Sequence, residues 1–365
     1  FVLFFKLDGI IHQLEQTAAA GIDLRGLELD RLGRRFADIA GELAGRINPR
    51  TRHRHQTAAG EVHIGPVSKA DAALLDGTNV KIIATATIGM DHIDLQYCAE
   101  KGIAVHNAEG CNAGGVMQYV FSALYGVAAR RSIKLDGYNF GIIGVGNVGK
   151  KVEAMARYLG FNVLRCDPPR AEAEGPEGFC SLEYLLENSQ IVTMHTPLDE
   201  TTRGMANADF FTLMKPGAIF INSARGEVVD EQALMRAIPK LGAVVIDTWK
   251  HEPHINEELL EMVDVATPHI AGYSYQGKQN GTAFAVQSVA RHFGIKELYD
   301  FYPENDIPDH EPVLLDLKDK KQGEIAALFQ YNYPVFTDDF RFRMEPGHFE
   351  KLRSQYQYRR EIYVE

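Results

Sequence analysis

Cysteine is scarce: Cys98, Cys111, Cys166 and Cys180 are the four among 365 residues, widely spaced and with no Cys-x-x-Cys pair. That excludes a disulfide-stapled scaffold and fits a reducing, cytoplasmic setting. Long apolar runs are also missing. No stretch approaches the roughly 18 residues of a membrane span, so no membrane partner is expected. The opening Phe1-Val2-Leu3-Phe4-Phe5 soon meets Lys6 and Asp8, and reads as a buried strand rather than a signal peptide remnant. Positive charge is in deficit, with 38 Lys and Arg against 49 Asp and Glu, a formal net charge of −11. A nucleic-acid partner is therefore not expected, because it favours a basic face. A local basic pocket for a small anion remains compatible with that sum.

What is present supports ordinary globular cores, with 45% hydrophobic residues. The length suits two or three domains at about 150 residues each. Residues 24–46 have a helix-compatible composition, and Arg50-Thr51-Arg52-His53-Arg54-His55 reads as an exposed basic loop. The β-branched run Val80 to Thr87, closed by Gly89, reads as a strand and a tight turn. From about residue 112 the pattern alternates. Val116, Val120, Ala123, Leu124 and Val127 fall at helical spacing behind Asn112, a candidate cap. Short apolar runs follow at Tyr138–Ile143, Phe161–Cys166, Ile191–Met194, Ala218–Ile221, Ala243–Ile246 and Val263–Ala266, separated by helical or turn segments. Six buried strands alternating with helices predict an α/β fold with a doubly wound parallel sheet. A further helix is expected over 281–293, and the charged, aromatic-rich stretch 295–365 reads as a small additional domain.

The first of those strands runs into Gly144-Val145-Gly146-Asn147-Val148-Gly149, which opens a helix with Val148, Val152, Met155 and Leu159 on one face. In this context the glycines serve a tight turn, close approach to a pyrophosphate and close helix–strand packing, while the helix N-terminus offers free N–H groups. Asp167 follows 18 residues after Gly149 (167 − 149), where a carboxylate accepts from ribose hydroxyls and repels a 2′-phosphate. NAD is therefore favoured over NADP, with Arg170 as a nearby contrary sign. Thr196 and Asp247 end two other strands at the same sheet edge and are candidates for the cofactor crevice.

Three groups beyond the fingerprint point to chemistry. Arg225 sits in Asn222-Ser223-Ala224-Arg225-Gly226-Glu227-Val228-Val229-Asp230, Glu252 in Asp247-Thr248-Trp249-Lys250-His251-Glu252-Pro253, and His269 in Thr267-Pro268-His269-Ile270-Ala271-Gly272-Tyr273. A guanidinium grips a carboxylate bidentately. An imidazole moves a proton near neutral pH. A carboxylate beside it fixes the tautomer and favours the charged ring. Together they suit reversible oxidation of a 2-hydroxy acid, with hydride passing to a nicotinamide. His251 and His254 flank Glu252-Pro253, but without further converging ligands no metal is expected. Cys111 reads as a buried junction residue rather than a nucleophile.

These motifs resemble the D-2-hydroxyacid dehydrogenase family. Narrower matches are Ala84-Thr85-Ala86-Thr87-Ile88-Gly89-Met90-Asp91-His92-Ile93-Asp94, Gly110-Cys111-Asn112-Ala113, Cys166-Asp167-Pro168-Pro169-Arg170-Ala171, Phe349-Glu350-Lys351-Leu352-Arg353 and Tyr358-Arg359-Arg360-Glu361. The resemblance covers about residues 67–365, with 1–64 atypical. Aligning on Lys69 puts Gly65 and Pro66 where the family carries an Arg-Ser pair, and Ser68 at a Thr position. The resemblance implies a Rossmann-type NAD domain over 111–270, inserted in a smaller flavodoxin-like substrate domain over 1–110 and 271–292. A C-terminal α/β dimerisation domain over 293–365 would make a homodimer. It implies that Arg225, Glu252 and His269 are catalytic. Gly144, Gly146, Asn147, Val148, Gly149, Asp167, Thr196, Asp247 and Gly272 would bind NAD. Thr87, Tyr273 and Arg225 would bind a small phosphorylated hydroxy acid. The rivals are a sister activity on another D-2-hydroxy acid, and a non-catalytic NADH-sensing protein on the same fold.

Overall fold

The computed structural model describes residues 69–303 except Asn79 and Asp91, residues 311–364, and the backbone of a short antiparallel pair, β1 (Gln56–Thr57) and β2 (Gly60–Glu61). The expected strand at 1–5, the helical stretch 24–46, the basic run 50–55 and Gly65, Pro66 and Ser68 lie outside the described residues. The rest forms two compact units, one holding residues 69–111 and 278–303, the other 112–277 and 311–364.

In the first unit β3 (Ile82–Ala84) runs parallel to β4 (Ala104–His106). The helix Leu95–Glu100 lies between them in sequence, and the Asp94 carboxylate caps it by accepting from the Tyr97 amide at 2.9 Å. Leu75, Ile83, Ile93, Cys98 and Ile103 make its small core.

The second unit carries the expected six-stranded parallel sheet: β5 (Asn139–Ile143), β6 (Asn162–Cys166), β7 (Ile191–Met194), β8 (Ile219–Asn222), β9 (Ala243–Ile246) and β10 (Val265–Ala266). Their order is β10-β9-β8-β7-β5-β6. Every residue of β7, β8 and β9 is buried, which is why these strands read as unbroken apolar runs rather than alternating ones. The chain leaves β5 for β6 on one side and returns to β7 on the other. The carboxyl ends of β5 and β7 therefore border the point where the strand order reverses, and a doubly wound sheet binds its nucleotide there.

One helix differs from the sequence reading in how it is buried. The helix Ala113–Arg130 buries every residue from Ala113 to Ala128, not one face. The other face is covered by the C-terminal segment, which supplies β11 (Val313–Leu315), parallel to β12 (Ile362–Val364), and the helices Gln322–Asn332, Val335–Met344 and Phe349–Ser354. Phe329 stacks on Phe121 at 6.2 Å and meets Tyr125 at 5.6 Å. Phe342 packs edge-on to Trp249 at 5.8 Å. Residues 311–364 thus share both large cores of the nucleotide-binding unit. The helix expected over 281–293 begins earlier, spanning Tyr275–Phe293.

Candidate active site

The three fingerprint glycines have different reasons to be glycine. Gly144 has φ +84, and an added Cβ would sit 2.8 Å from the His195 carbonyl carbon and 2.9 Å from the Thr196 nitrogen. At Gly149 an added Cβ would fall 2.1 Å from the Gly144 oxygen. These two let β5, β7 and the helix Asn147–Tyr158 approach one another. Around Gly146 there is open space, with nothing within 4 Å of an added Cβ. Gly146 is also the N-cap of that helix and places no side chain over it, leaving the first-turn N–H groups at Asn147 and Val148 uncovered by a cap. Open space over a helix N-terminus is what a pyrophosphate requires. The hydroxyl of Thr196, across the reversal point, is buried with no partner, a donor suited to a bound nucleotide.

Asp167 links this loop to the next strand. Its Oδ2 accepts from the Val145 amide at 2.7 Å, and its Oδ1 accepts from the Arg170 amide at 3.1 Å, capping the helix Pro168–Glu174. The carboxylate keeps lone pairs for ribose hydroxyls. Arg170 does not stand open to a 2′-phosphate: its Nε and Nη2 pair with Glu174 at 2.8 and 2.5 Å, and Nη1 donates to the Val145 carbonyl at 2.6 Å. These residues fit NAD.

The structure joins Glu252 and His269 directly, with His269 Nδ1 2.8 Å from Glu252 Oε2. The other carboxylate oxygen accepts from the Trp249 amide at 2.8 Å. Burial pushes the Glu252 carboxyl up, but the hydrogen bond and charge of His269, the Trp249 amide and the Arg353 guanidinium outweigh it and hold the group below the ordinary glutamate range. The resulting carboxylate accepts a proton-bearing Nδ1 and leaves Nε2 for substrate.

His269 sits at φ 56, an uncommon conformation for a residue with a side chain. Asp247 holds it there. The His269 amide donates to the Asp247 backbone oxygen at 2.8 Å, and the amides of Ile270 and Ala271 donate to the two Asp247 carboxylate oxygens at 2.8 and 3.0 Å. The Thr267 hydroxyl adds a fourth bond at 2.7 Å. Asp247 is 1% exposed, so its observed work is to shape the turn that presents the imidazole. Burial raises its carboxyl above the ordinary aspartate value, against the His269 charge and these hydrogen bonds.

Arg225 follows β8 in extended conformation, with Nη1 donating to the Ala224 oxygen at 2.8 Å. The next residue fixes where this loop lies. A Cβ added at Gly226 would fall 1.9 Å from the Trp249 carbonyl carbon, so the Arg225 loop lies against the backbone three residues before Glu252. Gly272 makes a similar approach to Asn112, whose Nδ2 would sit 2.1 Å from an added Cβ. Asn112 does occupy the N-cap of its helix, yet its side chain makes no capping bond.

Of the two further substrate candidates, Thr87 belongs to the first unit, where its hydroxyl donates to the Gly89 oxygen at 3.1 Å and lies 2.7 Å from the Thr85 hydroxyl. Tyr273 lies in the second unit, edge-on to Tyr356 and Tyr358 at 5.8 and 6.0 Å. Sequence reasoning gave no role to three further residues, although Arg353 and Arg359 lie in two of the matched stretches. His195 is half-buried, with its ring Nδ1 out of solvent and without a partner, and burial holds its pKa down to about 3. Arg359, buried, donates to the oxygens of Ile270, Ala271, Tyr273 and Gly115, bracing the segment that follows His269. Arg353 brings a positive charge to the Glu252–His269 pair. The two arginines lie 84 and 90 residues beyond His269 (353 − 269 and 359 − 269), so no local motif connects them to it. Among the described residues no three His, Cys, Asp or Glu side chains converge as a metal site, and no helix is long and apolar enough to cross a membrane.

Residues 122–271 match the NAD-binding domain of the D-isomer specific 2-hydroxyacid dehydrogenases. An erythronate-4-phosphate dehydrogenase from Bacteroides fragilis is 42% identical over 300 residues, 80% of this chain and 84% of its own length. The protein of that name from Yersinia pestis is 38% identical over 341 residues, 91% of this chain and 90% of its own, which is more of the chain than residues 67–365 supply. Among solved structures, D-lactate dehydrogenase from Aquifex aeolicus, complexed with NAD and lactic acid, superposes with a TM-score of 0.54 at 28% identity, covering 63% of this chain and 82% of that one. NAD-bound 3-phosphoglycerate dehydrogenase from Entamoeba histolytica gives 0.54 at 27% identity, covering 66% and 81%. The chain belongs to the D-isomer-specific 2-hydroxyacid dehydrogenase family and is an NAD-dependent oxidoreductase.

Proposed function

We propose that this dehydrogenase oxidises 4-phospho-D-erythronate at C2 to 2-oxo-3-hydroxy-4-phosphobutanoate, in vitamin B6 biosynthesis. The observation that carries the chemistry is the 2.8 Å contact between His269 Nδ1 and Glu252 Oε2. The substrate rests on relatives of that name at 38–42% identity over most of their length. Bound NAD supplies the acceptor for the hydride leaving C2. His269 Nε2 takes the hydroxyl proton, and Glu252 stabilises the imidazolium that forms. A positioned acid–base group of this kind contributes about 10² to 10⁴-fold in rate. Arg225 grips the substrate carboxylate and polarises the developing carbonyl, while Thr87 and Tyr273 contact the rest of the substrate. Gly144, Gly146, Asn147, Val148, Gly149, Asp167, Thr196, Asp247 and Gly272 form the NAD site, Asp247 through the turn it holds.

The functional particle in this reading is a homodimer in the cytoplasm, joined through the C-terminal segment. That segment exposes Leu314, Tyr331, Phe340, Met344 and Tyr363, a large apolar complement for one small region. The test is NAD-linked absorbance change with purified protein and 4-phospho-D-erythronate, with a 2-oxo acid present to re-oxidise the cofactor. Turnover selective over 3-phosphoglycerate is expected, and a preference for 3-phosphoglycerate would overturn the substrate assignment.

A further inference from the structure

A cation from the C-terminal segment acts on the carboxylate of the acid–base pair. Arg353 lies in the helix Phe349–Ser354. Phe349 is buried against Phe342 at 5.6 Å, and Phe342 packs on Trp249, whose amide bonds Glu252. This aromatic stack ties the arginine's helix to the loop that carries the carboxylate. The Arg353 side chain hydrogen-bonds the Tyr273 phenol, and its charge acts on Glu252 and Asp247.

The guanidinium also lies 5.7 Å from the Phe349 ring, yet its protein partners do not use all of its donors. Glu350 is its ion-pair partner at 3.3 Å from Nη1, and that carboxylate is 63% exposed, which screens the pairing. Nε is buried and makes no hydrogen bond. Guanidinium carries five N–H donors in a planar fork that stays charged, and leaving a buried donor unfilled costs free energy. An oxyanion with several acceptor oxygens completes such a fork. The proposed substrate carries a phosphate two carbons from C2, so the group that binds it has to sit close to His269. That phosphate also has to be held beside two carboxylates, Glu252 and Asp247.

We propose that Arg353 binds the phosphate of the substrate, so that the C-terminal segment completes the active site of its own chain and does more than join subunits. The proposal rests on the substrate reading above. It makes Arg353 the counterpart of Arg225, one guanidinium for each anionic end of the substrate.

The experiment compares Arg353→Gln and Arg353→Lys with the wild type on 4-phospho-D-erythronate and on unphosphorylated D-erythronate, with NADH binding as the control for folding. The drop in kcat/KM for Arg353→Gln should be about 100-fold greater on the phosphorylated acid, carried by KM and partly restored in Arg353→Lys, as loss of a charge-assisted contact predicts. Equal losses on both acids, or no loss, would overturn the phosphate role. A second measurement needs no variant: phenylglyoxal labelling of Arg353 in the NADH-bound wild type, mapped by mass spectrometry, should slow in inorganic phosphate, and an unchanged rate would also overturn it. A wild type that ignores 4-phospho-D-erythronate while phosphate still protects Arg353 would sink the substrate reading and keep the subsite.

Discussion

The loop from Gly144 to Asp167 and the segment 311–364 belong to the same compact unit, and their residues act over different distances. In the loop, Gly149 closes on Gly144, Asp167 binds Val145 and caps its own helix, and only Gly144 meets a more distant neighbour, the His195 carbonyl. In the C-terminal segment the groups act on partners far away in the chain. Phe329 fills the space beside Phe121, Arg359 holds the carbonyls behind His269, and Arg353 charges the acid–base pair. The nucleotide loop and the Asp247-held catalytic turn are each tied by a carboxylate about twenty residues away, whereas the C-terminal segment braces that turn from 89 residues away.

The largest effect expected from disturbing this contrast lies in the distant segment. Phe329 is fully buried between Phe121 and Tyr125. Phe329→Ala should cost about 3–5 kcal/mol, read as a shift of the chemical-denaturation midpoint of the whole nucleotide-binding unit. If residues 311–364 unfolded separately and left that unit's transition in place, the shared core would be refuted. In the loop the glycines should separate by role. Gly149→Ala forces a 2.1 Å clash with the Gly144 backbone and should lower melting temperature and NADH affinity together. Gly146→Ala meets open space, so it should weaken NADH binding while leaving the melting temperature of the cofactor-free protein nearly unchanged. Equal thermal losses in the two variants would show that Gly146 is a packing residue.

The smallest effect lies where the regions meet. Glu252 is held below its ordinary value of 4.5 by His269, Trp249 and Arg353, against the opposing pull of burial. A depressed folded-state pKa gives stability that is fully present above the unfolded value and lost as pH falls through the folded one. The melting-temperature difference between wild type and Glu252→Gln should therefore be largest above pH 4.5 and shrink below it. A difference that grows on acidification would reverse the sign of this interaction.

Much of the second unit was legible because parallel strands buried on both faces leave unbroken apolar runs, and all six appear at or within a residue or two of their expected bounds. The Glu252–His269 contact was legible because both residues follow strands at one sheet edge. The full burial of Ala113–Ala128 was not, since Gln118, Tyr119 and Ser122 are polar side chains whose cover comes from residues far along the chain, such as Tyr333 against Tyr119 and Gln330 at the Ser122 carbonyl. The work of Asp247 was obscured for another reason. A carboxylate at a strand end suggests a ligand, and only the fold shows its oxygens taken up by the Ile270 and Ala271 amides.

The central claim is that His269, oriented by Glu252, moves the proton in an NAD-linked oxidation. The most direct measurement is the turnover of His269→Ala beside its NADH affinity. The account predicts a fall in kcat of about 10² to 10⁴-fold with the NADH dissociation constant within a few-fold of wild type, because the hydrogen bond made by that side chain goes to Glu252 and not to the glycine loop or Asp167. Turnover at the wild-type rate with NADH binding intact would contradict it.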